Sequence, residues 1–343
     1  MSTERVTIKD IAASLDLSLG TVSKALAGKS GVSDETRGLI LNAAESMGYN
    51  VNRLAQSLAR NPLVIGVLIP SVWPYHYGLF EQGIRETLEN LRDFNVSGTF
   101  HYVNSLYASE EIGHHVEMFM KEKVDAVIMC PSFDSEYKNQ LDKLKEAKIP
   151  VVLLGTDIDG AQRLSCVGIA SKLAGKMAAD LIQLATSEDK HAAVLIGNKD
   201  MEEHCQKADG FCEVTSYFKK NTRVFETQDE PKIAYHITNK IIRDFPDIGG
   251  LFVATGNSLA VCECLKKHGL GGIIKVVATD IFPELEEYVK DGYIQGVVVQ
   301  NQKEQATRAV MALFDYLAEH TYPEQNIYVD PHLLLRSNLM GLF

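Results

Sequence analysis

The sequence predicts a small all-α head followed by a two-lobed α/β body made of two doubly wound parallel sheets. Three observations carry this. The first sixty residues place apolar side chains at helical spacing, with capping residues ahead of each run. Beyond Pro62, short apolar runs alternate with amphipathic stretches at the spacing of right-handed β-α-β units. That rhythm breaks at residues 155–164 and then restarts, which divides the body into two lobes.

In the head, Thr7 can cap a first helix with Asp10 completing a capping-box-like pair, and Ile8, Ile11, Ala12 and Leu15 form its apolar stripe. The chain breaks at Asp16-Leu17. Ser18 is placed to cap a second helix that turns Val22, Ala25 and Leu26 inward. Its outer face carries Leu19, Gly20, Thr21, Ser23 and Lys24, mostly short side chains. Such a face lets a helix backbone sink into a DNA major groove, the arrangement of a helix-turn-helix. Ser33 opens a third helix with Asp34 and Glu35 at its positive end, Leu39, Ile40, Ala43, Ala44 and Met47 toward the core, and Gly48 as its stop.

Four segments, in order and at fixed spacing, resemble the DNA-binding head of the lactose-repressor (LacI/GalR) family of bacterial transcription regulators. They are Val6-Thr-Ile-Lys-Asp-Ile-Ala12, Thr21-Val-Ser-Lys24, Val32-Ser-Asp-Glu-Thr-Arg37 and Tyr49-Asn-Val-Asn-Arg-Leu-Ala-Gln-Ser-Leu58. The resemblance implies a helix-turn-helix head over 1–50, a hinge helix within 51–61 and an effector-binding and dimerisation core over 62–343. It implies DNA contacts from Thr7, Ser18, Leu19, Gly20, Thr21, Ser23 and Lys24, and from Asn52, Arg53, Ala55, Gln56 and Leu58 in the hinge. A hinge over 52–60 is shorter than the ~12 residues at which isolated helices become marginal, so it should order only against its twin and DNA. Leu58, helped by Ala55, would then wedge into the minor groove. Two residues depart from the family pattern. Lys24 replaces an arginine, so a point charge stands in for a bidentate fork, and Val51 replaces a proline, which leaves the start of the hinge less rigid.

Composition sets bounds on partners. The first sixty residues hold seven Lys/Arg against six Asp/Glu, whereas the remaining 283 hold 27 against 39. That balance argues against a large nonspecific electrostatic footprint over the whole molecule, so DNA affinity must come from local contacts of a paired head. The polar start Met1-Ser-Thr-Glu-Arg5 and the lack of a long apolar run point to a cytoplasmic protein with no membrane partner. The six cysteines form no C-x-x-C pair and read as reduced core residues.

In the body, strands are expected at 64–70, 97–103, 126–130, 150–154, 166–169, 192–196, 223–226, 251–254, 276–279 and 296–299, with helices between. This core resembles the family's sugar-binding core, which shares the fold of periplasmic ribose-type binding proteins. That fold implies three crossings between lobes, placed near 161–165, 291–295 and 321–326. The N-lobe would then be 62–162 with 293–322, and the C-lobe 163–292 with 323–343.

Ligands of doubly wound sheets bind beyond the C-terminal ends of the strands. Past the first strand lies Pro70-Ser-Val-Trp-Pro-Tyr-His-Tyr77, where Trp73 and Tyr77 offer aromatic faces to a sugar ring. Past the third come Phe133 and Asp134. Lys207, in Lys207-Ala-Asp-Gly-Phe211, stands where the family's R-x-x-G-F arginine meets ligand hydroxyls. Asn257, Asp280 and Gln300 follow later strands at positions similar to the family's amide and carboxylate contacts. Gly155-Thr156 and Ala170 stand where aspartates are usual, so the effector cannot be carried over from any relative. The donor set suits a neutral polyol.

No phosphate loop, dinucleotide turn, zinc-protease or nucleophile-elbow motif is present, and nothing pairs a nucleophile with a base. The sequence therefore predicts a non-enzymatic regulator without cofactor or metal. It is expected to be a repressor of carbohydrate genes that binds a palindromic operator on double-stranded DNA and answers to a sugar or sugar derivative. It would work as a homodimer or tetramer, and Leu342-Phe343 without a heptad extension favours the dimer.

Overall fold

The computed structural model describes residues 6–26, 30–47, 61–104, 109–131, 134–218 and 221–339 of the 343-residue chain. The chain separates into two compact units, Met1–Asn61 and Pro62–Phe343.

The first unit contains three helices, Ile8–Leu15, Leu19–Leu26 and Asp34–Ser46. Their starts are set by side-chain oxygens. The Thr7 backbone N–H donates to Asp10 Oδ2 at 2.7 Å, and Ser18 and Ser33 accept from the backbones of Thr21 and Thr36 at 3.1 and 3.2 Å. Ile11, Ala12, Val22, Ala25, Ile40 and Ala44 close a single small core. Arg37 Nη1 donates to the Ala25 carbonyl at 2.9 Å and ties the third helix to the end of the second. Leu39 corrects the expectation, being 57% exposed rather than inward. Each residue turns ~100° about the helix axis, so a helix that buries Ile40 and Ala44 carries its neighbour Leu39 off the core face.

The second unit holds two six-stranded sheets. The strands are β1 (Leu63–Pro70), β2 (Val96–Val103), β3 (Ala126–Met129), β4 (Val151–Gly155), β5 (Ser165–Ile169), β6 (His191–Ile196), β7 (Thr222–Glu226), β8 (Ile248–Val253), β9 (Lys275–Thr279), β10 (Ile294–Val299), β11 (Asn326–Val329) and β12 (His332–Leu335). The sheet orders are β11-β5-β4-β3-β1-β2 and β12-β10-β9-β8-β6-β7. All pairings are parallel except that of β12 on β10. Central strands are buried along nearly their whole length, which is why they read as unbroken apolar runs. Helices cover both faces of each sheet and make two cores per lobe.

The chain passes between sheets three times, later than expected. β5 pairs with β4 in the first sheet, so the first passage follows Ile169. β10 pairs with β9 in the second sheet, and the helix Gln302–Glu319 then packs on the first, so the second passage is at 300–301. β11 belongs to the first sheet and β12 to the second, which puts the third at 330–331. Residues 163–169 and 323–329 therefore lie in the first lobe, and 293–299 in the second. The sequence leaves β11 and β12 unmarked because edge strands need only one partner and carry mixed, half-exposed side chains, here Asn-Ile-Tyr-Val and His-Leu-Leu-Leu.

Each sheet reverses its strand order once, between β1 and β3 and between β6 and β8. Loops leaving strand ends at such a reversal splay apart and leave a crevice.

Candidate ligand-binding cleft

One cavity takes its walls from both lobes. The first contributes Trp73, His76, Tyr77, Phe80, Pro131 and Leu154–Thr156; the second contributes Met201, Glu203, His204, Lys207, Asp229, Ala254–Gly256, Asp280 and Gln300. All lie at or just past C-terminal strand ends or on the helices that follow them.

Lys207 is placed by a close helix pair. Its helix Glu202–Tyr217 lies on Ser171–Ala185, and the two backbones meet through Gly175 and Gly210. A Cβ on Gly175 would stand 1.9 Å from the Lys207 carbonyl oxygen, and one on Gly210 would stand 2.0 Å from the Lys172 carbonyl oxygen. The glycines let the lysine, 2% exposed, reach the end of the sheet. Its Nζ donates to Gln300 Oε1 at 2.9 Å and to Glu203 Oε1 at 3.3 Å. Glu203 lies one helical turn before Lys207, on the same face.

From Lys207 the hydrogen bonds run on across the cleft. Gln300 Nε2 donates to Asp280 Oδ2 at 2.8 Å, and Gln302 Nε2 donates to Asp280 Oδ1 at 2.8 Å. His76 Nδ1, from the first lobe, lies 3.2 Å from Asp280 Oδ2. A second link joins the Thr156 hydroxyl to Glu203 Oε2 at 3.1 Å. The lobes are thus drawn together around the cavity.

The electrostatics are uneven. Burial opposes charge on Glu203, but Lys207, His204, His76 and the Thr156 hydroxyl outweigh it and hold the carboxyl down at about 2. Asp229 is shifted the other way: burial dominates, and the nearby Glu203 charge adds to it, so its carboxyl is raised. Among the described residues none donates a hydrogen bond to Asp229. Gln228 and Asp229 both have left-handed backbones, with φ of 53° and 54°, and Trp73 and Asp280 share that conformation at 54° and 62°. Such backbone strain in non-glycine residues clusters at ligand clamps.

The cavity brings together Trp73, Tyr77, Lys207, Asp280 and Gln300 of the expected residues. Asn257 does not line it. Its side chain is buried and donates to the Thr255 and Thr227 hydroxyls at 3.2 and 3.4 Å, because it is the residue that leads into the helix Ser258–Lys267. Phe133 lies outside the described residues, and Asp134 opens the helix Asp134–Glu146. Sequence reasoning passed over His76, Thr156, Glu203, Asp229 and Gln302. His76 sits inside the flagged Pro70–Tyr77 segment, and Glu203 could have been found from its four-residue spacing to Lys207. Asp229 carries no signal, since only the sheet brings the end of β7 beside β6.

At the end of β4, Gly155 has φ 90° and the Phe80 ring would lie 3.2 Å from a Cβ there, so an aspartate does not fit. Asp157 instead accepts from Arg163 Nε at 2.6 Å and pins its own loop, while Arg163 Nη1 also reaches the Gln325 carbonyl at 2.7 Å.

In the head, Thr7, Ser18, Leu19, Gly20, Ser23 and Lys24 are exposed and Thr21 half-exposed. Val22 and Ala25 hold the opposite side of that helix to the core. Asn52, Arg53, Ala55, Gln56 and Leu58 lie outside the described residues. The six cysteines are free thiols. Cys130, Cys166, Cys262 and Cys264 are buried, and burial pushes all four thiols up.

Comparison with known proteins divides the chain in the same way. Residues 7–52 match bacterial regulatory proteins of the lacI family, and residues 65–321 match a periplasmic binding protein domain. Catabolite control protein A of Priestia megaterium is 28% identical over 60% of this chain, and the match spans 60% of that relative's length. The HTH-type transcriptional repressor PurR of Mannheimia succiniciproducens is 25% identical over 97% of this chain and 98% of its own. Among solved structures, an ABC transporter periplasmic solute binding protein from Actinobacillus succinogenes with bound D-allose superposes with a TM-score of 0.72 at 22% identity, covering 82% of this chain and all of that one. A LacI transcriptional regulator from Bacteroides fragilis, so described provisionally, superposes equally well at 18% identity over the same shares.

Proposed function

Because this chain belongs to the lacI family of bacterial regulatory proteins, with a periplasmic-binding-protein domain behind a lacI-type head, we propose that it is a ligand-responsive transcription regulator. It binds DNA sequence-specifically and represses carbohydrate genes, and a sugar-like effector in the interlobe cleft sets its operator affinity. The observation that carries this is the polar network Lys207–Gln300–Asp280–His76, whose members come from both lobes. A polyol that takes over some of these bonds changes what holds the lobes together, so occupancy and lobe closure are one equilibrium.

The regulator acts in the bacterial cytoplasm as a homodimer on a palindromic operator, since paired heads read paired half-sites. Thr21, Ser23 and Lys24 reach base edges and phosphates, with Leu19 and Gly20 shaping the fit and Thr7 and Ser18 at the helix starts. Asn52, Arg53, Ala55, Gln56 and Leu58 form the hinge contacts. Lobe closure moves the start of β1, and with it the paired hinges. A difference of ~1–3 kcal/mol between the two lobe arrangements is enough to switch occupancy. In the cleft, Trp73 and Tyr77 offer ring faces, and Lys207, Asp280, Gln300 and Asp229 meet hydroxyl groups.

The test is operator selection from a randomised duplex pool at fixed salt, with and without a panel of monosaccharides. A recovered palindrome whose occupancy one sugar changes supports the proposal. Recovery of no enriched sequence under any condition sinks it.

A further inference from the structure

Among the described residues three carboxylates line the cleft, and they differ in what they hold. Asp280 accepts from Gln300 and Gln302 at 2.8 Å each and faces His76 at 3.2 Å. Glu203 accepts from Lys207 at 3.3 Å and from the Thr156 hydroxyl at 3.1 Å. His204 is directed to Glu203 as well: its Nδ1 accepts the Asn198 backbone N–H at 3.1 Å, and its Nε2 lies 3.6 Å from Glu203 Oε1. Asp229 lines the same cavity, yet no described residue donates a hydrogen bond to it.

The seat of Asp229 is specific. Gln228 and Asp229, both with left-handed backbones, turn the chain beyond β7 and bring the carboxylate over Gly197, just past β6. A Cβ on Gly197 would stand 2.2 Å from Asp229 Oδ2 and 2.5 Å from Oδ1, so the missing side chain makes that seat. The ammonium of Lys207 is already engaged by Glu203 and Gln300 and leaves the Asp229 charge without a partner. Burial and the Glu203 charge accordingly raise the Asp229 carboxyl, against the pull of His204, Lys207 and His76.

We infer that the effector is an amino sugar, whose ammonium binds Asp229 while the hydroxyls of its ring meet Lys207, Asp280 and Gln300. A hydroxyl would bring that carboxylate one donor and no charge. An ammonium brings three donors and cancels the charge, the stronger pairing once water is excluded. A carboxylate buried without a partner is costly, so an occupant that supplies one gains the most. The same excess of negative charge disfavours uronic acids and sugar phosphates. The inference rests on the sugar-effector reading above and refines it at one residue: Asp229 meets an ammonium in place of a hydroxyl.

The experiment titrates the full chain by calorimetry at about pH 6.5, below the roughly 7.7–8.0 at which an α-amino group titrates, so that the amine carries its proton. The ligands are D-glucosamine, D-galactosamine and D-mannosamine, each beside its parent sugar and its N-acetyl derivative. Expected is one amino sugar at least ten-fold tighter than both of its neutral counterparts. Asp229→Asn, which removes the charge at the cost of no described hydrogen bond, should bring that ratio toward one. Gly197→Ala keeps every charge but displaces the carboxylate from its seat, so it should lower the ratio too. A neutral counterpart that binds as tightly as its amino sugar, or a preference that survives either substitution, overturns the inference and leaves the sugar-responsive reading intact. Binding of none of these ligands counts against that reading, and the inference falls with it.

Discussion

His76 Nδ1 and Asp280 Oδ2 lie 3.2 Å apart across the cleft, joining the loop after β1 to the residue after β9. The two are 204 positions apart in sequence, and the same aspartate also accepts from Gln300 of its own lobe and from Gln302, which opens the first-lobe helix Gln302–Glu319. Asp280 is therefore both a cleft acceptor and a clasp.

Removing the clasp should loosen closure. His76→Ala is expected to weaken effector binding about five-fold, the loss of one partly exposed hydrogen bond worth ~1 kcal/mol. His76→Gln, which keeps a donor, should recover much of it. Calorimetry on the two variants checks this, and equal affinities for wild type and His76→Ala would remove His76 from the closure argument.

The two carboxyls beside Lys207 should respond to substitution with opposite signs. Glu203 is held at about 2, below its ordinary value of 4.5, so its contribution is present above roughly pH 5 and is lost as pH falls toward 2. Glu203→Gln should cost on the order of 3 kcal/mol of stability at pH 7, and the deficit should shrink in acid. Asp229 is raised, chiefly by burial, so the protonated form favours folding and that favour is lost as pH rises through its folded value. Asp229→Asn should therefore stabilise the ligand-free protein at pH 7 while weakening effector binding. Denaturant melts from pH 3 to 8 read both.

Gly175→Ala should separate the helices that place Lys207. With the added carbon 1.9 Å from the Lys207 carbonyl oxygen, the backbones must part, at a cost of about 1–3 kcal/mol or more. Thermal melts and effector titration should both worsen, whereas operator binding without effector should change less.

Leu58→Ala in the hinge should lower specific operator affinity and leave the effector dissociation constant unchanged. Electrophoretic mobility shift with the selected operator measures the first and calorimetry the second. Undiminished operator affinity would rule out a wedge at Leu58.

What the sequence determined by itself was local or periodic. The capping oxygens of Thr7, Ser18 and Ser33, the apolar stripe through Ile11, Ala12, Val22 and Ala25, and ten of the strands all follow from spacing that any window of a dozen residues displays. Strand ends then pointed to Trp73, Tyr77, Asp280 and Gln300, because parallel sheets leave their C-terminal ends open, and the family resemblance pointed to Lys207. Only the tertiary structure decided which lobe owns residues 163–169, 293–299 and 323–329, since a strand's allegiance depends on the partner that completes its backbone hydrogen bonds. It also decided that Asp229 and His76 face the cavity, and that Asn257 braces a loop beside it. These residues have ordinary neighbours in sequence. Their surroundings come from segments tens to hundreds of positions away, and no local pattern encodes where those segments meet.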